Sequence, residues 1–244
     1  MIELSAKFLK IFGSAKSVAV LTGAGLSAES GVPTFRGTEG LWSKFRAEEL
    51  ATVEAFLNNP KLVWEWYLHR RELMNQVTPN AGHYALAEME KYFEDFTLIT
   101  QNVDGLHRAA GSQHLLELHG NISRNKCLEC GKPFRGEINL ESGKPPQCEC
   151  GGRIRPDVVW FGELLPEKVV REAFEAASRA NLFFSVGTSS LVYPAAAMPL
   201  TANRKGAYLV EINLEPTPLT EFADYSLLGK SGEILPEIIK RLPK

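Results

Sequence analysis

The chain has no long hydrophobic run, no polybasic tract, and no cysteine outside one short window. No apolar stretch approaches the roughly 18 residues that a membrane span needs. Met1–Lys10 carries an acid and spaced lysines where a secretory leader places an apolar block. A membrane span and export are therefore not expected, and the sequence reads as cytoplasmic. Lysine and arginine number 27 against 29 acidic residues, with both signs scattered along the chain. Direct binding to nucleic acid or to an anionic membrane is not expected from that balance. Internal repeats and low-complexity segments are also lacking. What is present is 244 residues with 44% hydrophobic content, enough for one large domain with an inserted lobe. Small molecules and proteins are the expected partners.

All four cysteines are used in two close pairs, Cys127/Cys130 and Cys148/Cys150, with 17 residues between the pairs. In a reducing compartment this spacing reads as one four-thiolate zinc site, because tetrahedral zinc takes paired ligands from two short knuckles. A pair of redox disulfides is the competing reading. The second knuckle has one residue between its cysteines, not two, and Gly151-Gly152 can relieve the tighter geometry. Four thiolates leave no open coordination position, so such a metal is structural.

Elsewhere the patterns alternate. Apolar runs at Ser17–Thr22, Phe96–Thr100, Leu115–Leu118, Leu182–Val186 and Tyr208–Ile212 read as buried parallel strands. Helical periodicity covers Lys7–Phe12, Ala81–Tyr92, Glu167–Arg179 and Ala195–Asn203. This is an α/β chain with a doubly wound parallel sheet. Leu41–Pro79 and Asn121–Pro156 break the alternation and read as insertions. The expected division is a large lobe from about 1–40, 80–120 and 157–244, and a small lobe from about 41–79, helical, and 121–156, the zinc module, with a cleft between them. The turn Gly23-Ala24-Gly25-Leu26-Ser27 stands at the carboxyl end of the first strand, where such sheets bind dinucleotides. It continues through Ala28 and Thr34 to Phe35-Arg36, an aromatic and a cation suited to a phosphate-bearing ligand. Polar clusters close other strands: Gln101-Asn102-Val103-Asp104, His119-Gly120-Asn121, Gly187-Thr188-Ser189 and Asn213-Leu214-Glu215. Any one of them can be a helix cap; several at one sheet edge point to a crevice for ribose, carboxamide and phosphate groups.

These motifs, taken with Val158–Glu163 and the cysteine pairs, resemble in order and over nearly the whole chain the sirtuins, NAD-dependent protein deacylases. The resemblance implies an inverted Rossmann-type domain, a smaller zinc-ribbon and helical lobe, one structural zinc, and NAD consumed as a co-substrate. It implies that Gly23, Ala24, Gly25, Ser27, Ala28, Thr34, Phe35, Arg36, Trp42, Gln101, Asn102, Val103 and Asp104 bind the cofactor, with Ala24, Ala28 and Phe35 shaping the pocket around the nicotinamide ribose. Gly187, Thr188, Ser189, Asn213, Leu214, Glu215 and Ser231 would hold the adenosine half. Asn102 and Asp104 would orient the nicotinamide for release, and His119 would act as general base on a ribose hydroxyl as the acyl group passes to ADP-ribose. Val159, Trp160, Phe161, Gly162 and Glu163 would receive an acylated-lysine peptide as an added strand.

Tyr67 and Arg70 stand three apart on one helical face, so a phenol and a guanidinium can reach the same point. Read alone, they are a half-buried tyrosine and a solvated arginine. In the sirtuin frame they resemble the pair by which class III members take succinyl, malonyl or glutaryl groups, with Thr34 also similar to that class. Two other readings stay open: an ADP-ribosyltransferase using the same NAD cleavage, and a non-catalytic NAD-sensing module.

Overall fold

The computed structural model describes residues 3–34, 46–140 and 144–242. Among them nine strands form: β1 (Ser17–Thr22), β2 (Asp95–Thr100), β3 (Leu115–Glu117), β4 (Gly120–Cys127), β5 (Pro133–Phe134), β6 (Ile154–Val158), β7 (Leu182–Val186), β8 (Tyr208–Asn213) and β9 (Tyr225–Leu228). Six of them pair in parallel in the order β3-β2-β1-β7-β8-β9. Helices cover both faces, which is why β1, β2, β7 and β8 are almost continuously buried. Adjacent residues of β7 point to opposite faces. Phe184 packs with Phe8, Phe12, Leu86 and Leu235, and Phe183 with Ala173, Ala177 and Met198.

The strand order reverses between β1 and β7, and in an open parallel sheet that reversal opens a crevice at the carboxyl ends. The other three strands form an antiparallel sheet, β5-β4-β6. Against it lies the helix Pro60–Met74, started by Pro60 and by the Asn59 side chain, which accepts from the Leu62 amide. That helix buries Val63, Trp64, Trp66, Tyr67 and Arg70. The Trp64 indole donates to the Ile154 carbonyl at 3.0 Å and fastens the helix to β6.

Some elements differ from the sequence reading. The helix from Ala81 ends at Met89, and the later one runs Ala197–Arg204. The run Val158–Phe161 is apolar enough for a buried strand, but the strand ends at its first residue. β6 stops at Val158 because the Trp160 amide is taken by the Glu163 carboxylate at 2.8 Å and can no longer join a ladder. The closing strand β9 and the helix Ser231–Ile239 lie outside the sequence reading: β9 is only four residues long, and Pro236 inside the helix masks an apolar stripe of Ile234, Leu235 and Ile238.

Candidate active site

Backbone bonds lace three strand ends together at the reversal. The Gly23 amide donates to Val186, the Gly25 amide to Gly187 at 2.8 Å, and the Gly187 amide to Ile212. A Cβ on Gly23 would lie 2.7 Å from the Gly187 carbonyl oxygen, and one on Gly25 2.8 Å from it. These turns can therefore approach one another only as glycine. They floor a cavity of about 690 Å³. Of the residues singled out in the sequence, Gly23, Ala24, Gly25, Thr34, Gln101, Asn102, Val103 and His119 line it. So do Gly187, Thr188, Ser189, Asn213, Leu214 and Glu215, and, on the opposite wall, Tyr67, Arg70 and Val159 through Glu163. The shape and donor set suit a dinucleotide: a small-residue cradle at one end and amide, hydroxyl and carboxylate groups at the other.

His119 follows β3, and its Nδ1 lies 2.9 Å from the Gln101 carbonyl oxygen. A carbonyl can only accept, so Nδ1 carries the proton and Nε2 has the lone pair. Burial lowers the imidazole's pKa, and the bond to Gln101 partly offsets this. Asn102 is buried; its Nδ2 donates to the Gly23 carbonyl and to the Ser27 hydroxyl, both at 3.0 Å. Asp104 accepts from the Leu106 amide at 2.9 Å, closing the turn that leads through Gly105 into the helix Leu106–Ala109. Its pKa is raised by burial, against the Leu106 amide, Ser27 and the charge of Arg70.

Tyr67 and Arg70 are both buried, at 1% and 7% exposure, so neither is the solvated residue that the bare spacing suggests. The guanidinium of Arg70 lies over the Trp66 ring at 4.7 Å. Burial lowers its pKa, with Tyr67 and Asp104 acting the other way. In the segment 159–163 most backbone N–H groups are already engaged. Val159 donates to His119, Phe161 to Ala51, Glu163 to Trp160, and Trp160 to the Glu163 side chain. An added peptide strand therefore meets mainly carbonyls there.

Ser27, Ala28, Asp104 and Ser231 do not line the cavity. Ser27 lies behind Asn102, with His83 Nε2 at 3.3 Å, and Ser231 donates to Glu29 at 3.0 Å. Phe35, Arg36 and Trp42 lie outside the described residues. The remaining histidines sit away from the cavity: His83 and His107 in the core, His114 beside Glu90, and His69 exposed on the helix Pro60–Met74. Trp66, Leu191, Val192 and Tyr193 also line the cavity, and neither periodicity nor a motif marks them in the sequence.

The four cysteine sulfurs lie within 4.8 Å of one another, with Cys127–Cys150 at 3.5 Å and Cys130–Cys148 at 3.7 Å. Zinc–thiolate bonds of about 2.3 Å place tetrahedral ligands ~3.8 Å apart, so the four fit one zinc ion. Gly151, at φ 84°, turns the tight second knuckle, and a Cβ on Gly152 would come within 2.6 Å of Cys127 Sγ.

The profile of the Sir2 family matches residues 23–194. The NAD-dependent protein deacylase of Aquifex aeolicus (strain VF5) is 52% identical over 223 residues, 91% of this chain and 93% of its own length. That of Pyrococcus furiosus is 50% identical over 239 residues, 96% of each. Among solved structures, a Sir2 homologue in complex with NAD superimposes with a TM-score of 0.89 at 45% identity, over 98% of this chain and 93% of that one. Sir2 with a p53 peptide and NAD+ gives 0.86 at 35% identity, over 98% of both. With sequence, sheet order and cysteine cluster in agreement over more than nine-tenths of its length, this chain belongs to the Sir2 family.

Proposed function

We propose that this chain, an NAD-dependent protein deacylase, removes acidic acyl groups, succinyl, malonyl or glutaryl, from lysine side chains, with acetyl as a lesser substrate. The observation that carries the acyl preference is the burial of Arg70 and Tyr67 in the wall of the cavity that also holds Asn102 and His119. A buried guanidinium beside a phenol suits a carboxylate-tipped chain and gains nothing from a methyl group. In this reading the residues described within 41–79 and 121–156 belong to a smaller lobe, and the acyl chain enters between it and the larger one.

NAD, when bound, supplies the ribose carbon that releases nicotinamide and the ribose hydroxyls that accept the acyl group. Gly23, Ala24, Gly25, Thr34, Gln101 and Asn102 hold its nicotinamide end, and Gly187, Thr188, Ser189, Asn213, Leu214 and Glu215 its adenosine end. Asn102 is fixed by Gly23 and Ser27 and orients the carboxamide. Asp104 acts from behind Ser27 by holding that network. His119, with Nδ1–H committed to Gln101, takes a hydroxyl proton at Nε2 and later returns it. Val159–Glu163 receive the peptide backbone.

The test is nicotinamide release, followed by mass spectrometry, with matched acetyl-lysine and succinyl-lysine peptides. The expected result is preferential turnover of the succinyl peptide, lost in Arg70→Met while acetyl turnover survives, and loss of both in His119→Tyr. Preference for acetyl with no effect of Arg70→Met overturns the acidic-acyl reading. Release with neither peptide moves ADP-ribosyl transfer or NAD sensing to the front.

A further inference from the structure

Arg155 is a charged residue with 1% exposure, on β6, outside every motif noted in the sequence. Its guanidinium uses most of its donors. Nη1 bonds Glu163 Oε1 at 2.5 Å, Nη2 bonds Glu163 Oε2 at 2.9 Å and the Val158 carbonyl at 2.7 Å, and Nε reaches the Pro156 carbonyl at 3.3 Å. Such a pair is a weak source of stability, because desolvation offsets most of the attraction, so its geometry calls for another explanation. The guanidinium carbon lies 3.3 Å from the centroid of the Trp160 ring, and the Glu163 carboxylate also accepts from the Trp160 amide. Phe56 packs against the same indole at 5.3 Å between ring centroids. Trp160 is thus held at its backbone and over its ring.

The one polar atom of that indole, Nε1, donates to the Tyr67 hydroxyl oxygen at 2.8 Å, within the buried interior. An indole N–H can only donate. The phenol oxygen must therefore accept on the Trp160 side, which turns its own hydrogen away from Trp160. Trp66 packs edge-on against the Tyr67 ring at 4.8 Å and fixes the ring itself.

We propose that Arg155 and Glu163 are positioning residues for acyl selectivity: by clamping Trp160 they make the Tyr67 hydroxyl a donor aimed into the cavity, where it serves an acyl carboxylate beside Arg70. The proposal rests on the acidic-acyl reading above. Burial also keeps the phenol protonated, with a pKa above its ordinary value, so that it remains a donor near neutral pH. A glutamate counted in the sequence among substrate contacts thereby acts through its neighbours.

The test measures kcat and KM for succinyl-lysine and acetyl-lysine peptides of one sequence. The variants are Arg155→Met, Arg155→Lys, Trp160→Phe, Tyr67→Phe and Arg70→Met, with the double variant Arg155→Met/Tyr67→Phe. Loss of a well-directed hydrogen bond to a charged group lowers the succinyl-to-acetyl ratio of kcat/KM by ~10-fold in Arg155→Met, mainly through KM. Arg155→Lys recovers part of that ratio. In the Tyr67→Phe background Arg155→Met changes the ratio by less than about twofold, because the hydroxyl it directs is gone. Equal losses on both peptides, or a full further loss in the double variant, overturn the proposal. If Arg155→Met does not fold, Trp160→Phe decides: it keeps both members of the ion pair and removes the indole donor, and an unchanged ratio there refutes the role. An Arg70→Met ratio equal to wild type overturns the acidic-acyl reading and this proposal together. A lowered Arg70→Met ratio with unaltered clamp variants overturns this proposal alone.

Discussion

At the residue scale, two histidines with lowered pKa values predict different pH dependences. His119 must be neutral at Nε2 to take a proton, and burial lowers its pKa, so activity falls only once the pH drops below the ordinary histidine range. The acidic limb of a kcat/KM profile should therefore have its midpoint below 6.5. A midpoint at or above 6.5 would sink the assignment of that limb to a buried His119. His83 has no part in that limb, but its pKa is pushed down to about 4 by burial. The unfolded chain takes up a proton near pH 6.5 and the folded chain does not, so stability is full above 6.5 and declines toward pH 4. The linked loss is on the order of 3 kcal/mol. His83→Gln should lower stability at pH 7, where the Asn80 amide loses its partner Nδ1. The same variant should lose ~2 kcal/mol less than wild type between pH 7 and 4.5, as read by urea unfolding. Parallel losses in the two proteins would refute the linkage.

At the element scale, the crossing of β4 and β6 sets the wall beside His119. Gly120 pairs with Val158 at φ 79°, and a Cβ there would lie 2.1 Å from the Asp157 carbonyl oxygen. The His119 carbonyl accepts from Val159 at the same crossing. Gly120→Ala should therefore cost at least ~2 kcal/mol of stability and abolish nicotinamide release, since backbone on both sides must shift. Near-wild-type melting and turnover would show that the strands can separate without disturbing His119. The elements themselves were unequally legible in the sequence. β1, β7 and the helix Glu167–Arg179 match the sequence reading at both ends, because a buried parallel strand is an unbroken apolar run and a surface helix a clear 3.6-residue stripe. Tyr67 and Arg70 had the right spacing, but only tertiary packing decides that an arginine is buried. The break after Val158 was hidden for a similar reason: Val158–Phe161 is apolar enough for a strand, and a carboxylate at position 163 stops it. Arg155 offered no signal, since a lone arginine in a zinc-module strand has the same local pattern whether exposed or buried.

At the scale of the whole molecule, the cysteine cluster is tied to the acyl wall through β4 and β6. Cys127 ends β4 opposite Ile154 of β6, Ile154 accepts from the Trp64 indole, and Arg155 follows directly. The two knuckles are closed by the backbone bonds Cys127–Lys132 and Cys148–Gly152, and Cys127 belongs to, and Leu128 and Cys148 pack against, the hydrophobic cluster that also holds Trp64, Tyr67 and Trp160. Structural zinc in small modules contributes apparent binding free energies of about 10–16 kcal/mol, comparable with the whole stability of a typical domain at ~5–15 kcal/mol. Removing the metal should thus release the end of the antiparallel sheet and, through β6, loosen the clamp on Trp160. The parallel sheet has its own two hydrophobic clusters and does not depend on this route. Cys130→Ser, or dialysis against a strong zinc chelator, should lower the metal content from one ion per chain to none. It should also add an early thermal transition and abolish peptide-dependent nicotinamide release, while ADP-ribose binding at the parallel sheet survives. Metal analysis, calorimetry and ADP-ribose titration on the same sample separate the two halves. A metal-free protein with full peptide turnover would show that the zinc module does not support the acyl wall, and loss of ADP-ribose binding would show that the parallel sheet is not independent of it.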